Sequence, residues 1–198
     1  MSFLLILFLL GVNIFILMKF HQYKKGSTLY VNYLQSQPDE LNALKVNAEM
    51  VIGNSDVQLD NVVGIDTINE KRTLRSFFKN DQSKLLVCRF SDMYCESCVD
   101  YSIKTLLQWC DSIGKDNILF LGTYRNNKLF NMQKKEYGID TLATLNVPSL
   151  NLPAEELGFP YYFILDSTLT VLNVSIPDKS ARNVDYQYFR KIQERFFK

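Results

Sequence analysis

Cys95 and Cys98, with Glu96 and Ser97 between them, are the residues of this chain whose type and spacing can do chemistry. A thiolate is both a nucleophile and a metal ligand, and its surroundings govern how readily it forms. When two thiols stand one helical turn apart, a mixed disulfide formed on the first can be displaced by the second from within the chain. Such a pair carries two electrons itself, so neither a cofactor nor a metal is expected.

The flanking pattern decides which thiol acts first. Lys84 to Phe90 is a short apolar run bounded by polar residues and reads as a buried strand. After the second cysteine, Val99, Ile103, Leu106, Leu107 and Cys110 recur at helical spacing and form one apolar face, closing near Gly114. The order strand, loop, Cys-x-x-Cys, helix places Cys95 among unpaired N–H groups at the positive end of a helix dipole, so it should be the more acidic thiol. Two other readings stand beside exchange. Half of a zinc site needs a further ligand pair, and Cys88, Cys110 and His21 are not at ligand spacing. An inert structural role is the other reading of Cys95 and Cys98, since buried cysteines behave as small hydrophobes, and it is the simplest reading of Cys88 and Cys110. A disulfide between those two would need α-carbons about 4.4 to 6.8 Å apart.

The chain has 198 residues, enough for one domain and an appendage. Its 22 Lys and Arg against 21 Asp and Glu give no reason to expect a nucleic-acid partner. Phe3 to Met18 is apolar apart from Gly11 and Asn13; as a helix it covers about 24 Å, against roughly 30 Å of hydrocarbon. With Phe20 and Tyr23 as interfacial residues and Lys19 snorkelling, residues 1–25 read as an uncleaved transmembrane anchor, since no small-x-small cleavage site follows. Residues 26–52 turn polar and read as a spacer, with a short solvated helix opening at Pro38 and running through Leu41, Leu44 and Ala48.

Residues 53–198 read as the globular domain. Val57 to Leu59 and Val62 to Ile65 are short strand candidates, and Thr67 to Lys79 reads as one short helix. Ile118 to Thr123 is a buried strand that should lie parallel to Lys84 to Phe90 across the cysteine helix. A helix over Phe130 to Tyr137 follows. Tyr161 to Asp166 and Val171 to Ile176 should form an antiparallel hairpin, and Asn183 to Phe197 a closing amphipathic helix bearing Tyr186, Phe189, Ile192 and Phe196 on one face.

This order, with Cys95 and Cys98 at a strand-to-helix junction and Pro160 just before a hairpin, resembles the thioredoxin-like fold. More closely it resembles the bacterial membrane-anchored thiol–disulfide oxidoreductases related to the AhpC/TSA redoxin superfamily. The resemblance implies an α/β domain with a central mixed sheet flanked by helices. It also implies catalytic Cys95 and Cys98, and a substrate surface at Tyr94, Phe159 and Pro160, the last as a cis-proline. Expected partners are protein thiols or disulfides, an electron-donating thiol protein or membrane reductase, and the membrane itself through the N-terminal helix. An extracytoplasmic, periplasmic domain is implied, whereas Lys19, Lys24 and Lys25 after the apolar run favour the cytoplasmic side by the positive-inside rule.

The departures from the family pattern carry their own expectations. Tyr94 stands where Trp is usual, and Glu96 with Asp92 should disfavour the Cys95 thiolate. Arg89 occupies the place of a buried acid and is expected in a salt bridge at the sheet edge. Peroxide reduction would call for a Pro-x-x-x-Thr-x-x-Cys pattern, which neither cysteine register supplies. A thiol peroxidase and a non-catalytic interaction module are the alternatives to disulfide exchange.

Overall fold

The computed structural model describes residues 13–21, 38–66, 68–79 and 82–198. It divides into two compact units, Met1–Leu41 and Asn42–Lys198. In the first, residues 13–21 are helical. Residues 3–12 of the expected anchor, together with Tyr23, Lys24 and Lys25, lie outside the described residues. Among the described residues no helix is long and apolar enough to cross a membrane.

The second unit is built on one mixed sheet. Its strands are β1 (Val63–Ile65), β2 (Lys71–Thr73), β3 (Lys84–Ser91), β4 (Ile118–Thr123), β5 (Thr144–Asn146), β6 (Tyr161–Asp166) and β7 (Val171–Ser175), in the spatial order β2-β1-β5-β4-β3-β6-β7. β3 runs parallel to β4, from Leu86 opposite Ile118 to Ser91 opposite Thr123, and antiparallel to β6, from Lys84 opposite Asp166 to Arg89 opposite Tyr161. Because β3 is interior, both of its faces are covered, which is why it reads as a continuous apolar run. Leu85 and Val87 enter one core, while Leu86, Cys88 and Phe90 enter the other.

The second core holds α2 (Glu96–Leu107), which buries Val99, Ile103 and Leu106, and α5 (Arg182–Phe196), which buries Phe189 and Ile192. Each such side chain contributes about 1.5 to 3 kcal/mol on burial, so α2 is anchored by its apolar face. The cysteine helix is interrupted at Gln108 and Trp109, resumes as α3 (Cys110–Ile113), and stops at Gly114 with φ +91°. The helix α4 (Asn127–Glu136) is capped by Asn126, whose side chain accepts from the Leu129 amide at 3.0 Å. Its Phe130 ring lies on Gly122 of β4, where there is no room for a Cβ.

Two stretches differ from expectation. Thr67 to Lys79 is not one helix; its described residues form β2 and then a 3-10 turn at Leu74–Phe77. The Asp66 carboxylate accepts from the amides of Ile68 and Glu70, both at 3.0 Å, and Asn69 takes φ +62°, so the chain turns back and pairs with β1. The helix α1, over residues 38–54, is also more than a solvated spacer, for the compact unit begins at Asn42 and not at Gly53. Its inward face is Ala43, Asn47, Met50 and Asn54, not Leu44, which is 54% exposed. Asn47 pairs with the Ile176 backbone, accepting from its N–H at 2.6 Å and donating to its carbonyl at 3.3 Å. Asn54 accepts from the Ala154 amide at 3.1 Å. These two amides cover backbone groups just past the edge strand β7 and beside the 3-10 turn Pro153–Leu157.

Candidate active site

The end of β3 fixes the loop that carries the dithiol. Ser91 accepts the Met93 amide on its hydroxyl at 3.1 Å and the Tyr94 amide on its carbonyl at 3.2 Å, while the Asp92 amide donates to Thr123 of β4 at 3.2 Å. Cys95 then caps α2, its carbonyl accepting from the amides of Cys98 and Val99, both at 3.0 Å. Cys95 is exposed and Cys98 half-buried. The Cys98 thiol donates to the Cys95 sulfur at 2.6 Å, about 0.6 Å beyond a disulfide bond.

The two thiols titrate in opposite directions. Cys95 is lowered to about 7, chiefly by the Cys98 thiol, then by the Ser97 hydroxyl at 3.4 Å, the Cys98 amide and the Lys179 ammonium. Cys98 is raised by burial and by the neighbouring Cys95 sulfur. Lys179 arrives from the loop after β7 and donates to the Ser97 hydroxyl at 3.4 Å. The expectation that Glu96 and Asp92 would disfavour the Cys95 thiolate is corrected accordingly. Both carboxylates are exposed and solvated, and they are outweighed by donors aimed at the sulfur.

Arg89 forms the expected salt bridge but not at the sheet edge. It lies 2% exposed on the interior strand β3, with Glu155 at 2.7 Å and the Pro148 carbonyl at 3.0 Å. Glu155 also accepts from the Ser149 hydroxyl and from the amides of Leu150 and Asn151, at 3.0 and 3.2 Å. Although burial opposes it, the Arg89 charge and these donors hold the Glu155 carboxyl below the usual range. The pair thereby ties β3 to the turn that leads into Leu157 and Phe159.

A groove of about 440 Å³ opens beside Cys98, walled by Ala43, Val46, Leu157, Phe159 and Ile176, with Lys179 at its rim. Phe159, 45% exposed, therefore shares a surface with the dithiol. Tyr94 does not line this groove; it lines a separate hollow with Asp92 and Glu96. Pro160 is buried and absent from the groove wall, and its peptide bond is trans, as are all the described peptides. The turn is made instead by Gly158 at φ +69°, and pairing of Tyr161 with Arg89 begins immediately afterwards, which draws Pro160 inward. Of these two expected residues, Phe159 lines the groove and Pro160 does not.

Cys88 and Cys110 are free and buried in the same core, and burial pushes both thiols up. Among the described residues no group of Cys, His, Asp and Glu comes together that could hold a metal ion. Sequence reasoning missed two residues near the site. Lys179 carries no local signal, since its place depends on the β7–α5 loop folding back over α2. Asp185 is buried, accepts from the Tyr101 hydroxyl at 2.7 Å and is raised to about 7 by desolvation; only its position on the inward face of α5 could have pointed to it.

No family model and no curated protein matches the chain. Solved structures do. A thiol:disulfide interchange protein from Bacteroides sp. aligns at 14% identity over 69% of this chain and 90% of that one, with a TM-score of 0.51. A peroxidoxin from Mycobacterium tuberculosis aligns at 10% identity over 72% of this chain and 97% of that one, with a TM-score of 0.53. At such identities the likeness concerns the path of the chain: residues 42–198 adopt a thioredoxin-like fold, a mixed sheet with helices on both faces and the dithiol at the end of its interior strand.

Proposed function

We propose that this protein is a thiol–disulfide oxidoreductase acting on protein substrates, with Cys95 as the attacking thiol and Cys98 as the resolving one. One observation carries the reading: an exposed Cys95 lowered to about 7 stands 2.6 Å from a Cys98 whose own thiol is raised. At neutral pH about half of Cys95 is thiolate, while Cys98 keeps its proton.

In the reducing direction the Cys95 thiolate attacks one sulfur of a substrate disulfide. That bond breaks, the second substrate sulfur leaves as a thiolate and takes a proton, and a mixed disulfide forms on Cys95. Cys98 then loses its proton and attacks the Cys95 sulfur, releasing the first substrate sulfur. The substrate has gained two electrons, and the Cys95–Cys98 disulfide has lost them. An electron-donating thiol protein or membrane reductase resets the pair. The groove beside Cys98 supports polypeptide binding, with Phe159 presented to the substrate and Pro160 behind it. The apolar run from Phe3 to Met18 supports a membrane anchor, and the resemblance to the anchored redoxins is what supports an extracytoplasmic domain.

The test is a redox titration of the full-length protein in thiol buffers, trapping free thiols and weighing the peptide that carries Cys95 and Cys98. A reversible two-electron transition between about −120 and −270 mV is expected. A pair that never closes, or one locked well below about −300 mV, would overturn the proposal and leave the fold as a binding module.

A further inference from the structure

The dithiol has a second flank besides the apolar groove. On the Tyr94 side lies a hollow of about 280 Å³ whose walls include Tyr94, Tyr124 and Tyr137, with Asp92, Glu96 and Gln133 beside them. The three rings come from three places: the loop before Cys95, the end of β4, and the end of α4. Tyr124 and Tyr137 are set by Phe90, which meets them edge to face at 6.1 and 6.3 Å. Asp92 and Glu96 make no ion pair among the described residues. Burial raises the Tyr124 and Tyr137 hydroxyls, and the nearby carboxylates Asp92, Glu96, Asp100 and Glu136 raise them further; among the described residues only Asp100 of these four is paired with a cation, Lys104 at 2.9 Å. Electron-rich ring faces beside uncompensated carboxylates attract a cation and repel an anion.

We infer that this tyrosine-walled hollow is a specificity pocket that receives a lysine or arginine side chain of the substrate polypeptide, beside the cysteine that Cys95 attacks. The inference rests on the proposed exchange for its biological setting. The flanks of the dithiol then differ: the groove by Cys98 accepts apolar side chains and offers the Lys179 ammonium at its rim, while the hollow by Tyr94 and Glu96 accepts a cation. A substrate with a basic residue on one side of its cysteine and apolar residues on the other fits in one direction only.

The test uses the full-length Cys98→Ser variant, in which Cys95 attacks but nothing resolves. Three peptides are compared, identical except for arginine, norleucine or glutamate next to a cysteine that is activated as a mixed disulfide with a coloured leaving thiol. The rate of colour release is expected to be about fivefold to tenfold higher for the arginine peptide than for the norleucine peptide, lowest for glutamate, and compressed by salt. Adding Asp92→Asn, which disturbs no packing, should at least halve the arginine advantage. Asp92→Asn with Tyr137→Leu should bring arginine and norleucine to within about twofold of each other, the ratio of the two rates being the readout. Equal rates for arginine and norleucine without these substitutions, or an arginine advantage that survives both, would overturn the inference. Neither result depends on ring closure between Cys95 and Cys98, so failure here and failure of the redox titration are separate outcomes.

Discussion

The four cysteines lie on neighbouring elements, Cys88 on β3, Cys95 and Cys98 at the start of α2 and Cys110 on α3, yet only Cys95 is lowered. Cys95 and Cys98 stand at the start of α2, open to solvent and surrounded by donors, and the first is lowered to about 7. Cys88 on β3 and Cys110 on α3 lie in the core on which α2 packs, where burial is the chief cause that raises them. Desolvation penalises a thiolate wherever no donor meets it, whereas a helix N-terminus supplies donors together with access. The same residue type is therefore reactive or inert in this domain according to its exposure and the donors around it.

The largest test of that contrast is alkylation of the folded, reduced protein. Cys95 should react with a rate that climbs through pH of about 7, because its lowered thiol is mostly protonated below that point and mostly thiolate above it. Cys88 should react only through opening of the core, which makes it slower by on the order of ten-thousandfold or more. Residue-resolved mass spectrometry after timed quenching measures both rates. A Cys88 rate within a factor of about a hundred of Cys95 would mean that the core does not protect it.

The second test attacks the protection directly. Arg89, between Cys88 and Phe90 on β3, is almost completely buried, and its charge is answered by Glu155. Glu155→Ala leaves that cation unpaired in the interior, at a cost of about 3 to 5 kcal/mol. If Cys88 is reached by global opening, its alkylation should accelerate by roughly a hundredfold to several thousandfold, in step with the loss measured by urea unfolding. The Cys95 rate should hardly change, because its thiolate is made by Cys98, Ser97 and Lys179. A Cys95 rate that falls along with stability would show that the two pairs are coupled through Arg89.

What the sequence made legible follows the same division. The strand from Lys84, the Cys-x-x-Cys pair and the face formed by Val99, Ile103 and Leu106 are local patterns, and each appears where its periodicity places it. The hairpin of β6 and β7 and the helix α5 are equally local. β5 is only Thr144–Asn146, held in place by β4 and β1 on either side, so no periodicity could announce it. The inward face of α1 is set by side-chain amides answering Ile176 and Ala154, and so the more apolar Leu44 is no guide to it. The candidate site divides likewise. Its two cysteines are visible as a motif, whereas the Glu155 partner of Arg89, 66 residues away, and the tyrosines of the hollow are brought in by the fold.

Lys179 provides the smallest and most discriminating test. It is the one charged group among the principal influences on Cys95, and it acts by its charge from the end of a solvated side chain that also donates to the Ser97 hydroxyl. A solvated charge is screened, so Lys179→Met should move the midpoint of Cys95 alkylation upward by only a few tenths of a pH unit, and the difference should vanish in high salt. Ser97→Ala removes a donor that touches the sulfur itself and should move the midpoint further, with little dependence on salt. If the Lys179 effect proved the larger of the two, long-range charge rather than local hydrogen bonding would be activating Cys95. The contrast between the exposed and buried cysteine pairs would then rest on the field of the β7–α5 loop and not on the helix terminus, and any substitution that displaced that loop should abolish it.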